Sequence, residues 1–146
     1  MNLDDFRTLA EKTKQEHPIW FELESDPQAS DAEIAAAESA LGCEFPNAYK
    51  EFVKEFGGGL FAFSNVFSMS EDSYWYVVLK NQREGWPRDV PFLAVSENGT
   101  GDYYGFRVQD GRCAPEVAFY DHDDGGVKPT EFPDFFEYVV STGFSY

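Results

Sequence analysis

Residues 3 to 16 place Phe6, Leu9, Ala10 and Thr13 on one side of a charged segment, which predicts a weakly amphipathic helix that must end before Pro18. Ile19, Trp20, Phe21 and Leu23 follow as an apolar patch with some strand character, and Ser25 to Ser30 is a turn-rich connector. The first helix either frames the domain or hangs from it, and the core is expected after the connector. The strongest local signal is Ser30-Asp31-Ala32-Glu33. There the Ser30 hydroxyl can accept from the Glu33 N–H while the Glu33 carboxylate reaches back to Ser30. A helix is predicted from Asp31 to Leu41, with Ile34, Ala37 and Leu41 inward and Gly42 as its left-handed stop. Beyond Pro46, Tyr49, Phe52, Val53 and Phe56 form one stripe of a second helix that halts at Gly57-Gly58-Gly59.

From Leu60 the period changes. Leu60 to Phe63 and Val66-Phe67 are short and aromatic, as strands are. Ser70 to Glu84 is ambiguous: Tyr74 to Val78 favour a strand by propensity, yet Ser70-Glu71-Asp72 looks like a helix start, and Trp75, Val78, Leu79 and Gln82 share a helical face. Propensity alone narrowly favours the strand. Trp86-Pro87 and Pro91 break the chain, Pro91 to Ser96 reads as a strand, and Asn98 to Asp102 as a turn. Tyr103 to Val108 and Glu116 to Tyr120 are further strands, the first closed by a Gln109-Asp110-Gly111 hairpin turn that needs positive φ. Asp121 to Gly126 is a polar loop. Thr130 is then expected to cap a last helix running to about Thr142.

Helices, then an antiparallel β-meander, then a closing helix make an α+β fold rather than a chain of parallel βαβ units. A length of 146 residues suits one domain, with residues 1–29 as N-terminal helix and connector and 30–146 as core.

Composition sharpens the picture. Fifteen Phe among 18% aromatics supply a core in large units. The 27 carboxylates against 11 Lys and Arg give a formal charge of -16, spread along the whole chain. Such a surface repels nucleic acid and anionic lipid, and it either attracts a basic partner or simply keeps the protein soluble. The acidic N-terminus is unlike a signal peptide and no apolar run approaches a spanning length, so a cytoplasmic location is expected. Cys43 and Cys113 lack metal-ligand or C-x-x-C spacing and are expected to be buried and reduced.

The run from Glu33-Ile34 through Leu41-Gly42, then Phe45-Pro46-Asn47-Ala48-Tyr49-Lys50-Glu51-Phe52 and Gly57-Gly58-Gly59, resembles the opening of the SUKH superfamily, the domain of a fungal cell-wall assembly regulator and of many bacterial immunity proteins. Phe92-Leu93-Ala94, Asn98 to Gly105, Val117 with Tyr120-Asp121-His122, and Phe132 to Phe136 follow in that family's order, so the resemblance runs from about residue 30 to the end. Phe45 stands where the family usually has Leu before Pro, which keeps the apolar bulk. The resemblance implies a helix within Ser70 to Glu84, in place of the strand that propensity favours.

No catalytic constellation emerges from the residues, and no enzyme is expected. The histidines are His17, before Pro18, and His122. A Cys-His pair of Cys43 or Cys113 with His122 is less expected than two small buried thiols. Asp121-His122-Asp123-Asp124 with Asp102 can gather ligands for a divalent cation, but the loop lacks the spacing of a calcium loop and reads better as a solvated acidic turn. The glycine clusters lack phosphate-loop context, and no acidic pair stands out for glycoside hydrolysis. Neither metal nor cofactor is therefore expected. The resemblance implies an immunity protein that meets a basic toxin domain, a nuclease for instance. The alternative it implies is a regulatory protein-interaction module. The residues expected at the partner are Glu97, Asp102, Tyr103, Tyr104, Asp121, His122, Asp123 and Asp124, although Tyr103 and Tyr104 read equally well as half-buried strand positions, with the chain a monomer or weak dimer that touches neither nucleic acid nor membrane.

Overall fold

The computed structural model describes residues 1–82 and 90–145. Its first helix, α1 (Leu3–Glu16), starts on Asn2, whose side chain accepts from the Asp5 N–H at 2.8 Å, and it buries Phe6, Ala10 and Thr13. The apolar patch that follows is a 3-10 turn, Pro18–Phe21, and has no strand character. Pro18 fits the first turn of such a helix, and the turn splits its apolar residues between inside and outside. Phe21 packs inward on Phe61 and Phe144, whereas Ile19 stays 73% exposed.

Helix α2 (Asp31–Leu41) carries the reciprocal cap in full, with the Glu33 N–H donating to Ser30 at 3.1 Å and the Ser30 N–H to Glu33 at 2.9 Å. Such caps contribute about 1 kcal/mol. Gly42 ends it at φ 71°. Helix α3 (Asn47–Phe56) buries Tyr49, Phe52 and Val53 and stops at Gly57, where a Cβ would lie 1.9 Å from the Asp26 carbonyl oxygen. No other residue type fits that approach at φ 83°.

Strands β1 (Gly59–Phe61) and β2 (Ser64–Val66) make a small hairpin. Of the ambiguous stretch, Val77–Gln82 is a helix, α4, and Ser70 to Tyr76 is turn and bridge. Ser70-Glu71-Asp72 does not begin a helix, because the chain turns back through the Ser73 N–H to the Ser70 carbonyl at 3.0 Å. The expected break at Trp86-Pro87 and the end of the Ser70 to Glu84 segment lie outside the described residues.

The main sheet joins β3 (Phe92–Glu97), β4 (Tyr103–Gln109), β6 (Ala118–Asp121) and β7 (Gly126–Pro129) in that order, all antiparallel, with the short β5 (Arg112–Cys113) paired to β4. Strand β7 is an addition to the sequence reading. It is an edge strand, half to fully exposed, in which Pro129 is tolerated. Helix α5 (Phe135–Gly143) closes the fold, and Thr130 does not cap it. Pro133 keeps Phe132 away from helical backbone, so the helix waits for Asp134, whose carboxylate accepts from the Glu137 N–H at 2.9 Å. Thr130 instead donates to the Val117 carbonyl at 2.5 Å.

The α+β architecture is therefore N-terminal helices, an antiparallel sheet and a C-terminal helix. Its aromatic core includes α1: Phe6 is fully buried, stacked on Phe136 at 4.9 Å and edge-on to Phe56 at 5.3 Å. Phe135 packs edge-on to Tyr49 at 5.2 Å and Phe52 at 5.4 Å, joining α3 to α5. Buried hydroxyls are partnered. Tyr138 donates to Ser96 at 2.8 Å and Ser96 to the Asn65 carbonyl at 2.7 Å, and burial pushes the Tyr138 phenol up to about 12. No helix among the described residues is long and apolar enough to cross a membrane.

Candidate functional site

The antiparallel register brings the sequence-predicted residues to one end of the sheet, because β3 and β4 pair Glu97 with Tyr103, and β4 and β6 pair Tyr103 with Tyr120. The Asn98 to Asp102 turn thus lies beside the loop that leaves β6. Asp102 bridges them. One of its carboxylate oxygens accepts from the His122 N–H at 3.0 Å and faces His122 Nδ1 at 2.6 Å, while the other accepts from Asn98 at 3.0 Å. The hydrogen bond from the His122 N–H, then that from its ring, hold the Asp102 carboxyl down at about 2. The same ring bond raises the His122 pKa above the usual imidazole value.

The acidic loop is a tight reversal in which Asp121 pairs with Gly126 across the β6–β7 hairpin. Lys128, on β7, reaches back to Asp121 at 3.0 Å and to Asp124 at 2.7 Å. The lysine bond, and then the Gly126 N–H, lower the Asp124 pKa, and the Asp124 and Asp121 bonds raise that of Lys128. Asp123 points outward, 84% exposed, with His122 Nε2 at 3.2 Å. Asp102, Asp121 and His122 hold ligand-type atoms within 4.8 Å of one another. The Asp102 oxygen already faces the His122 ring and Asp121 already holds Lys128, so a divalent cation would have to part the first pair and displace the ammonium from the second.

Glu97 is set deeper. Its backbone is clasped by Asn65, which donates to the Glu97 carbonyl at 2.8 Å and accepts its N–H at 2.9 Å. Its carboxylate meets Lys80 at 3.2 Å, and Lys80, only 7% exposed in its side chain, lies 3.6 Å from the centre of the Tyr74 ring and 5.2 Å from that of Trp75. The aromatics expected at a partner turn inward. Tyr103 is buried, and Tyr104 is half-buried against Phe119 at 5.1 Å and Tyr138 at 4.9 Å. Sequence reasoning missed Lys80, Asn65 and Lys128. Of these only Lys128 left a signal, since Asp124-Gly125-Gly126 is a turn that brings a lysine back beside the acids of the loop.

The remaining candidates separate. His17 stacks flat on Trp20 at 3.8 Å. Cys43 and Cys113 are buried free thiols with their sulfurs 3.9 Å apart, each partnered by the other while His122 faces Asp102 and Asp123. Donation of its S–H to Cys43, together with burial, holds the Cys113 pKa well up, and receipt of that bond lowers that of Cys43.

The helix pair, the glycine stop and the meander agree with the comparison against known families, in which the family model SUKH_6, described as SMI1-KNR4 cell-wall, matches residues 31–139. The chain belongs to the SUKH family. That family includes immunity proteins. The match spans the SUKH domain from α2 into α5, and in this SUKH chain α1 adds Phe6 to the same core from outside the matched range. No curated protein matches the chain.

Proposed function

We propose that this SUKH protein is an immunity protein: it binds a cognate toxin in the cytoplasm by protein–protein contact and neutralises it without chemistry of its own. The observation that carries this reading is the family match over residues 31–139, joined to a formal charge of -16. A toxin that handles nucleic acid carries a basic groove, and a folded acidic surface complements it with fast, salt-sensitive association. In this reading the sheet-end loops contribute through their outward groups, His122, Asp123 and Asp124, while Glu97, Asp102 and Tyr103 hold the loops in shape.

The test is co-expression with the catalytic domain of a toxin encoded beside the gene. Restored growth and a co-purifying complex that weakens steeply with salt are expected. If growth stays arrested and the two proteins elute separately, the immunity reading fails. The cell-wall description of the matching family favours a second reading, a regulatory interaction module. That reading predicts a partner unrelated to any neighbouring toxin and an interaction that leaves toxin activity untouched.

A further inference from the structure

Two acidic regions of the surface differ in what already neutralises them. At the sheet end, Lys128 holds Asp121 and Asp124, and His122 holds Asp102. On the turn after α1, Glu16, Glu22 and Glu24 are all exposed, and none pairs with a described Lys or Arg. Between them sit two of the most exposed aliphatic side chains described, Ile19 at 73% and Leu23 at 63%.

These side chains stand on a braced platform. Trp20 is stacked on His17 and meets the Phe63 ring edge-on at 5.0 Å, Phe21 is anchored in the core, and Ser25 donates to the Leu60 carbonyl at 2.8 Å. Exposed aliphatics on a held backbone lose little conformational freedom when covered. An apolar centre with a charged rim is the makeup of a protein interface, and the sign of the rim selects the partner.

We infer that the turn Pro18 to Glu24 is a protein-docking surface whose partner presents Lys or Arg side chains around an apolar patch. If the proposed function holds, that partner is the toxin, and this turn is a second contact besides the sheet-end loops. Among the described residues no cation has to be displaced before a basic residue on the partner pairs with Glu22 or Glu24, which is not so at Asp121 or Asp124.

The experiment uses the full ¹⁵N-labelled chain and two probes: a synthetic peptide of alternating leucine and lysine, and the neighbouring toxin domain in an inactive form. In physiological salt, the peptide is expected to move the amide signals of residues 17, 19–24 and 63. Ile19→Ser with Leu23→Ser should lower its affinity at least about 10-fold. Glu22→Gln with Glu24→Gln should lower it and flatten its salt dependence. Asp110→Asn with Glu131→Gln, which removes the same charge elsewhere, should leave it within about 2-fold. Shifts that map to another face, serine variants that bind as tightly as the parent, or absence of binding would each overturn the inference. With the toxin domain the two readings separate. A complex indifferent to the serine changes sinks the docking turn and leaves the immunity role standing. A toxin that does not bind, beside a peptide that docks on the turn, does the reverse.

Discussion

The sheet-end loops and the turn after α1 both carry carboxylates, yet those of the first are bonded to their own protein, whereas those of the second are exposed and pair with no described Lys or Arg. Asp102 gathers donors from His122 and Asn98, and Lys128 clamps Asp121 to Asp124, so these acids set the conformation of two loops. Glu16, Glu22 and Glu24 pair with no cation among the described residues. Net charge therefore overstates what a partner meets, and the part of it left uncompensated beside exposed apolar area is the better guide to an interface.

The contrast breaks most severely at Lys80. Lys80→Met leaves the Glu97 carboxylate without its cation beneath Tyr74 and should cost about 3 kcal/mol in urea unfolding. Adding Glu97→Gln should restore more than half of that loss. A single variant as stable as the parent would mean that the pair does not organise the sheet end. Asn65→Ala removes both bonds to the Glu97 backbone and should cost about 2 kcal/mol. Its thermal shift should come with altered amide signals at residues 97–102 and unchanged ones at 18–24.

A finer probe is pH. Because its folded pKa is raised, His122 adds stability that is fully present below the usual histidine value near about 6.5 and fades as pH rises through the folded one. Asp102, held at about 2, adds stability present above the ordinary Asp value of about 3.9 and lost as pH falls toward 2. Titration of the His122 ring by NMR should show the raised value in the parent and a lower one in Asp102→Asn, in which Asp123 and Asp121 still act on the ring. Identical curves would remove the link between the two loops. The smallest effect belongs to the turn: Ile19→Ser and Leu23→Ser should each change unfolding free energy by less than about 0.5 kcal/mol, since neither side chain is in the core.

Elements written in local chemistry were legible in the sequence. Ser30 and Glu33 announced α2, Gly42 its end, the Tyr49 to Phe56 stripe α3, and Asp110-Gly111 a turn whose φ angles are 54° and 75°. The errors came where a neighbour outweighs a propensity. Pro133 moved the last cap from Thr130 to Asp134, and Pro18 turned an apolar run that looked extended into a 3-10 turn. Strand β7 exists because β6 offers it an edge, which no pattern within Gly126 to Pro129 reveals. Site residues followed the same rule. The turn at Asn98 to Asp102 and the loop at Asp121 to Asp124 were readable as polar turns, whereas the Lys80 and Asn65 contacts that set Glu97 in place join distant segments.

The brace beneath Ile19 and Leu23 has an evolutionary consequence. The turn is fixed by Phe21, Trp20 and Ser25, while the side chains that face outward carry almost none of the folding energy. Mutations at those outward positions are therefore nearly neutral for folding and free to drift, so a lineage can change which partner it recognises, one substitution at a time, without passing through an unstable intermediate.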